Sequence, residues 1–280
     1  MAEATVLRCG RFVLDLARPR VMGIVNLTPD SFSDGGRLGD ASAAIRHAER
    51  LMEEGADVID LGAESTRPGA TPVSADIEVA RLMPVLTALR DAPVPISVDT
   101  MEAEVMAQAF DAGASMINDV TGFASNASRE AVRASDCALC VMHMQGTPQT
   151  MQVAPHYDDV VAEVSHHLRE RCDALIAEGI SRERLVIDPG FGFGKALEHN
   201  LSLLCRLGEL GSLGLPILVG LSRKGMIGQI TGRPLTERLA GSLAAALVAI
   251  ENGARIVRVH DVAATVDAIK VWMSTRTATR

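Results

Sequence analysis

The sequence predicts an α/β fold, a single (β/α)₈ barrel of the TIM type that spans residues 1–280. Three observations predict it: eight apolar runs of strand length recur along the chain, helical patterns lie between most of them, and no Pro/Ser-rich linker divides the chain. A length of 280 residues is ordinary for one such barrel. A doubly wound open sheet is the alternative, but the first run is followed by NLTPDSFSDGG and not by a G-x-G-x-x-G turn.

Each run is nearly continuous in Val, Ile, Leu and Met, as is typical of parallel strands covered on both faces. The first helical pattern, DASAAIRHAERLMEEG, is expected to have Asp40 as its N-cap and to stop at Gly55. The predicted strands, in order, are VMGIVNLT from Val21, DVIDLGAE from Asp57, PISVDT from Pro95, MINDVTG from Met116, ALCVMHM from Ala138, LVIDPG from Leu185, PILVGLS from Pro216 and RIVRVHD from Arg255.

Composition narrows the class of protein. Lys and Arg number 27 against 35 Asp and Glu, a net charge of −8, and aromatic residues are 3% of the chain, so nucleic-acid binding is disfavoured. The N-terminus has no signal-peptide h-region, and the apolar stretch from Leu239 to Ile250 is too short to cross a membrane. Five scattered cysteines indicate reduced thiols, and Cys137 and Cys140 are predicted to be buried. These features indicate a cytoplasmic protein.

Polar side chains follow each apolar run, where a barrel places its active site. Carboxylate and amide groups at Asp99, Asn118 and Asp188 suit a flat heterocycle rich in N–H donors. Cationic groups suit phosphate or carboxylate oxygens. The sequence therefore predicts a ligand with a polar ring at one end and a phosphate at the other. The cationic residues are Arg223, Lys224, Arg258 and His260.

Several other polar residues are interpreted structurally. Asp60 and Asp119 are expected to orient neighbours or cap loops, and His143 is expected to be a packed, hydrogen-bonded histidine. His166 and His167 are predicted to be solvated. The run DPGFGFGK lacks the glycine spacing of a phosphate loop, and Ala196 stands where a Ser or Thr would hold magnesium.

Eight runs of the sequence carry a family resemblance, in order and over essentially the whole chain: MGIVNLTPDSFSDGG, GAESTRPGA, VDT, INDV, MHMQGTPQTMQ, LVIDPGFGFGK, LVGLSRKGMIG and RVHDV. In these runs the chain resembles the dihydropteroate synthase family of bacterial folate biosynthesis. The resemblance implies a (β/α)₈ barrel that joins 6-hydroxymethyl-7,8-dihydropterin diphosphate to 4-aminobenzoate and releases pyrophosphate, with sulfonamides competing with the aminobenzoate.

The resemblance implies a role for each matching residue. The pterin would be held by Asp99, Asn118, Asp188, Phe193 and Lys224. The diphosphate would be held by Asn26, Thr66, Arg258 and His260, with Asn26 also a ligand of Mg²⁺. The aminobenzoate would be bound by Phe32, Thr66, Pro68 and Gly225. The catalytic residues would be Asp34, Arg67 and Lys224, the first two on loops that close over the site.

One position departs from the family pattern, because Gly225 stands where several members have a serine that can bond the aminobenzoate carboxylate. An altered aminobenzoate affinity is expected. Two other functions stay open: a pterin-binding methyltransferase, which needs no diphosphate site, and a non-catalytic pterin-binding paralogue. The helix from Arg238 to Glu251 is apolar almost all round and predicts a homodimer through the later helices.

Overall fold

The computed structural model describes residues 5–28, 36–64 and 73–277, with the backbone alone for residues 36–40 and 277. Its strands are β1 (Val6–Cys9), β2 (Phe12–Asp15), β3 (Arg20–Asn26), β4 (Val58–Gly62), β5 (Ile96–Asp99), β6 (Met116–Asp119), β7 (Ala138–Met142), β8 (Leu185–Asp188), β9 (Ile217–Val219) and β10 (Ala254–Val259). Strands β3 to β10 are parallel and close into a barrel, each paired with the next along the chain and β10 with β3. The predicted (β/α)₈ barrel is confirmed. Each of the eight predicted runs overlaps one of its strands, and β3 and β10 begin one residue before the predicted runs.

The helices are α1 (Gly36–Glu53), α2 (Ala75–Ala88), α3 (Ala103–Ala112), α4 (Asn126–Arg133), α5 (Val160–Ala177), α6 (Leu197–Cys205), α7 (Gly225–Thr231), α8 (Leu239–Glu251) and α9 (Val262–Thr277). The predicted start of α1 was wrong: the helix begins at Gly36, so Asp40 lies inside it. Glycines disfavour a helix, but a helix once formed extends through poor positions at small cost. Within the described parts of the chain, no helix has the length and hydropathy of a membrane span.

Two layers of buried apolar side chains explain why the strands are apolar on both faces. Residues such as Ile59, Leu61 and Ile187 point outward and pack under the helices. The alternate residues, among them Met22 and Val186, point inward and fill the half of the barrel nearer the amino ends of the strands. The half nearer the carboxyl ends is therefore available for polar side chains.

The N-terminal hairpin of β1 and β2 lies outside the barrel sheet and was missed by the sequence reading. Its strands are antiparallel, and Gly10, at φ +55°, lies in the turn between them. Alternate residues Leu7, Cys9 and Leu14 are buried in the same apolar cluster as the inward-facing barrel residues. The hairpin thus packs on the interior of the barrel and extends its core.

Candidate active site

The inward face of the barrel changes from apolar to polar toward the carboxyl ends of the strands. Successive inward-facing residues of a strand are two positions apart. On four of the strands, an apolar inward-facing residue is followed two positions later by a polar one. The apolar and polar members of these pairs are Val58 and Asp60 on β4, Met116 and Asn118 on β6, Val186 and Asp188 on β8, and Ile256 and Arg258 on β10. The predicted polar mouth is therefore assembled from alternate strands of the barrel.

Strand register brings Asn26, Asp99 and Asn118 into one row across the mouth. Asn26 pairs with Gly62, Gly62 with Asp99, and Asp99 with Asn118. Gly62 leaves a gap in this row: a Cβ atom there would stand 3.9 Å from Asn26 Oδ1 and 3.7 Å from Asp99 Cβ. The amide of Asn26 and the carboxylate of Asp99 thus face the same space.

Arg258 is held between two carboxylates. Its Nε donates to Asp60 Oδ2 at 2.6 Å and its Nη2 to Asp99 Oδ2 at 2.9 Å. Burial works against the charged form, but the carboxylates of Asp60 and Asp99 raise the pKa of Arg258 above its usual value. The sequence reading placed Asp60 among residues that orient neighbours, and the structure shows that its neighbour is Arg258.

Two acceptors in the mouth lack a full set of donors. Asp188 Oδ1 accepts the Gly190 N–H at 2.7 Å, while burial raises the pKa of this carboxyl above its ordinary value. Asn118 Oδ1 is buried and accepts no hydrogen bond from the described residues. A buried amide oxygen without a donor is costly, so a ligand N–H is the partner that this position requires.

Lys224 lies over the ring of Phe193, with Nζ 4.2 Å from the ring centroid. Burial lowers the pKa of Lys224 to about 8, although the carboxylate of Asp188 opposes the shift. Gly192 makes room for this side chain, since a Cβ there would stand 3.4 Å from Lys224 Cδ. The cation and the ring are thus placed together, as the resemblance implies for the pterin site.

The diphosphate end of the predicted site lies where β10 leads into α9. His260 contacts Ser222 Oγ through its Nδ1 at 3.0 Å and its backbone N–H at 3.2 Å. Arg223 forms an ion pair with Asp261, so its guanidinium is committed to a protein partner. A cavity of about 870 Å³ adjoins this end, lined by Asn26, His260 and side chains of α1.

The remaining predicted positions fall into three groups. Gly225 is exposed at the start of α7, and a Cβ there would meet nothing within 4 Å. Asp119 caps the loop after β6 by accepting the N–H groups of Thr121 and Phe123, as predicted. Five predicted site residues lie outside the described part of the chain: Phe32, Asp34, Thr66, Arg67 and Pro68.

The structure confirms the predictions for His143 and for the two cysteines, but not the prediction for His167. His143 is buried and hydrogen-bonded, as predicted. His167 is half-buried, with its ring centroid 4.8 Å from that of His143, so its prediction as a solvated residue was wrong. Cys137 and Cys140 are both buried free thiols, as predicted, and burial raises the pKa of Cys137 to about 12.

These features define a class of protein: an α/β-barrel enzyme whose mouth suits a flat ring with N–H donors beside an anionic group. A family model described as "Pterin binding enzyme" matches residues 22–260. The chain is 50% identical to the dihydropteroate synthase of Neisseria meningitidis serogroup B over 274 residues, 95% of this chain and 96% of the relative. The chain belongs to the dihydropteroate synthase family, a family of transferases.

Solved structures of relatives have the same fold. The dihydropteroate synthase of Xanthomonas albilineans with 4-aminobenzoic acid has a TM-score of 0.92 at 51% identity and covers 98% of both chains. That of Burkholderia cenocepacia complexed with 7,8-dihydropteroate has a TM-score of 0.90 at 48% identity and covers 100% of this chain and 99% of that one. The Yersinia pestis synthase in a sulfonamide drug complex has a TM-score of 0.91 at 45% identity, covering 98% and 99%.

Proposed function

We propose that this chain condenses 6-hydroxymethyl-7,8-dihydropterin diphosphate with 4-aminobenzoate to give 7,8-dihydropteroate and pyrophosphate. The observation that carries the proposal is the unsatisfied Asn118 Oδ1 among the carboxylates of Asp99 and Asp188. A pterin ring offers an amino group and ring N–H groups to such acceptors. Family membership at about half identity over nearly the full chain supports the same reaction.

The ring end of the substrate would be held by residues of three strands, β5, β6 and β8, and of the loops that follow β8 and β9. Asp99, Asn118 and Asp188 accept its N–H groups, and Lys224 donates to its ring oxygen and nitrogen. The Phe193 ring, already stacked with Lys224, supplies an apolar wall. Charge-assisted bonds of this kind each contribute roughly 1.5–3 kcal/mol, enough to fix the orientation of the ring.

The diphosphate would lie toward β10 and α9. Nε and Nη2 of Arg258 are used by Asp60 and Asp99, which leaves Nη1 to donate to a phosphate oxygen. His260 is placed to donate beside it at the wall of the adjoining cavity. These donors would stabilise the negative charge that grows on the departing diphosphate.

The residues at this end fit a magnesium ion that arrives with the substrate. The donor set is oxygen-based: the amide of Asn26 stands at the end of β3, facing the same gap as Asp99. Magnesium commonly takes one or two protein ligands and completes its shell with water and substrate phosphates. When bound, it would neutralise charge on the diphosphate, and Asn26 is the residue that would hold it.

The reaction would be a dissociative displacement at the pterin methylene. The C–O bond breaks first, with its electron pair going to the diphosphate; the arylamine lone pair then forms the new C–N bond, and the amine releases a proton to solvent water. An arylamine is a weak nucleophile, so excluding water from the methylene matters. The buried acceptors and the Phe193 wall would hold the ring while the amine approaches.

The direct test is to incubate the purified chain with dihydropterin diphosphate, 4-aminobenzoate and Mg²⁺ and to quantify both products. We expect dihydropteroate and pyrophosphate in equal amounts, with inhibition by a sulfonamide that competes with aminobenzoate. Pterin binding without turnover would favour the non-catalytic paralogue. Methyl transfer to or from a bound pterin would favour the methyltransferase.

A serine at position 225 tests the predicted aminobenzoate subsite. Gly225→Ser is expected to lower the KM for aminobenzoate about fivefold, because a hydroxyl bonded to the carboxylate contributes roughly 1 kcal/mol. Open space at this position lets the side chain fit without strain. Steady-state kinetics with each substrate varied in turn gives the two KM values, and an unchanged aminobenzoate KM would contradict the subsite.

Asp34 and Arg67 lie outside the described residues, and their roles rest on the family resemblance. We expect Asp34→Ala and Arg67→Ala to lower kcat strongly while leaving the Kd of dihydropterin diphosphate nearly unchanged, because the barrel residues hold that substrate. Isothermal calorimetry and turnover assays separate the two quantities. Loss of pterin diphosphate binding in both variants would count against a role in closing the site.

A homodimer is the proposed assembly, and an apolar surface on the later helices supports it. Leu201 on α6, Ile230 on α7 and Val248 on α8 are exposed, and Leu235 and Leu239 extend the same region of the chain. A solution mass twice that of the chain at micromolar concentration is expected, and a monomeric mass would exclude the dimer.

The proposed compartment is the cytoplasm, which suits five free cysteines.

A further inference from the structure

Lys195 is a buried lysine that the proposed reaction does not use. It follows the glycine-rich loop of residues 189–194, and the residue is 3% exposed. Three atoms lie within hydrogen-bond distance of its Nζ: His143 Nδ1 at 2.9 Å, the Gly190 carbonyl at 2.9 Å and the Phe193 carbonyl at 3.0 Å. An ammonium group has three N–H donors, so these three atoms can take all of them.

The loop that Lys195 closes carries one side of the pterin subsite. It begins after Asp188 and contains Phe193, and both residues face the proposed ring. Gly190 fits there because a Cβ would stand 1.9 Å from the His143 carbonyl oxygen. The loop carbonyls are also bound from outside, Gly192 by Gln152 at 2.7 Å and Gly194 by Tyr157 at 2.8 Å. Lys195 is the charged member of this set of anchors.

Titratable groups from several neighbouring elements surround Lys195. Burial lowers the pKa of Lys195 to about 7, and the carboxylate of Asp188 opposes that shift. Burial and the charge of Lys195 together lower the pKa of His143 to about 2, so His143 is neutral. The groups concerned are His143 after β7, Tyr157 in the following loop, His167 on α5, Asp188 on β8, His199 on α6 and Lys224 after β9.

We propose that Lys195 is a positioning residue of the pterin subsite: its ammonium holds the 189–194 loop in place through His143 and the carbonyls of Gly190 and Phe193. Its positive charge also favours the ionised form of Asp188, after the larger effects of Lys224 and Arg258. The identity of the ring as a pterin rests on the proposed function. In this arrangement His143 carries its proton on Nε2 and accepts from Lys195 through Nδ1. Phe193 is fixed against Lys224, and Asp188 is ready to accept ring N–H groups before the substrate arrives.

Replacing Lys195 with methionine tests both parts of the proposal, since it keeps the apolar stem and removes the charge. We expect kcat/KM for dihydropterin diphosphate to fall at least tenfold, with the aminobenzoate KM little changed. Loss of the Lys195 cation raises the pKa of Asp188, so the acid limb of kcat/KM should move to higher pH.

Two matched variants separate charge from packing. Tyr157→Phe removes an uncharged anchor of the same loop, and Lys270→Met removes an exposed lysine on α9. Neither should move the acid limb. If Lys195→Met leaves the acid limb in place, or if Tyr157→Phe moves it equally, the electrostatic role of Lys195 is overturned.

A second measurement uses the unsubstituted protein, so it does not depend on whether Lys195→Met folds. The chain has three lysines, Lys195, Lys224 and Lys270, and ¹⁵N-lysine labelling therefore gives three Nζ signals. Lys270→Met identifies one of them, and titration with dihydropterin diphosphate is expected to shift Lys224 most. At pH 6 we expect Lys195 to give an ammonium signal whose protons exchange slowly with water.

A neutral amine at Lys195 at pH 6 would overturn this role of the ammonium, because His143 would then be the donor. This result is distinct from a failure of the proposed function, since the Nζ signals are read without turnover. Absence of dihydropteroate formation by the unsubstituted chain would overturn the proposed function alone.

Discussion

Asp188→Asn is expected to lower kcat/KM for dihydropterin diphosphate by about 10²- to 10⁴-fold. Two hydrogen bonds to a charged acceptor, each contributing roughly 1.5–3 kcal/mol, account for that range. In the unsubstituted protein, Asp188 Oδ1 accepts the Gly190 N–H at 2.7 Å. The amide oxygen of asparagine can accept the same hydrogen bond, so the loop should keep its shape. The other end of the side chain becomes an NH₂ group, which meets the ring N–H donors with donors of its own.

The control for this variant is Asp111→Asn, which removes the same charge from an exposed position in α3. It should leave kcat/KM unchanged. Steady-state kinetics with dihydropterin diphosphate as the varied substrate, together with circular dichroism of both proteins, completes the test. A loss below tenfold in a folded Asp188→Asn protein would mean that Asp188 does not bind the ring.

The barrel could be predicted from the sequence because both faces of its strands are buried. That burial leaves apolar runs with a polar residue at the end, and the eight runs and the acceptors at Asp99, Asn118 and Asp188 follow from it. The N-terminal hairpin carries a weaker signal, the alternation of Leu7 and Cys9 with exposed residues. Each of its two strands has only four residues, which is too short for the alternation to stand out beside the longer apolar runs.

Pairings between distant residues could not be predicted. Asp60 and Arg258 are 198 positions apart, and their ion pair exists because closure of the barrel brings β4 and β10 to the same mouth. Lys195 and His143 are 52 positions apart, and they meet because the glycine loop after β8 lies against the end of β7. In both cases the sequence showed a charged residue near a strand end, and only the fold showed its partner.

The ion pairs also explain how a chain of net charge −8 can bind a diphosphate. Arg258 is held in the barrel mouth by Asp60 and Asp99, and the charge of Asp188 favours the cationic forms of Lys224 and Lys195. Buried cations need such partners, since isolated charges are costly to remove from water. The carboxylates therefore place positive charge where the anion is proposed to bind, whatever the overall sign of the surface.

Arg258→Met should cost about 3–5 kcal/mol of unfolding free energy at pH 8, the usual cost of leaving buried charges without their partner. Asp60 is fully buried, and its Oδ1 has no hydrogen-bond partner in the described chain, so loss of Arg258 leaves the whole carboxylate unsatisfied. Asp99 loses its bond at the same time. The control is Arg8→Met, which breaks an exposed ion pair with Glu183 and should cost little.

The destabilisation should depend on pH through Asp99. Burial raises the pKa of Asp99 to about 7, and Arg258 opposes that rise, so its removal raises the folded-state pKa further. A carboxyl whose folded pKa lies above its unfolded value of roughly 3.9 stabilises the protein at low pH, and this contribution is lost as the pH rises through the folded pKa. The difference between the variant and the unsubstituted protein should therefore be larger at pH 8 than at pH 5. Urea unfolding at both pH values measures it, and an equal difference, or a larger one at pH 5, would show that Arg258 does not control the charge of Asp99.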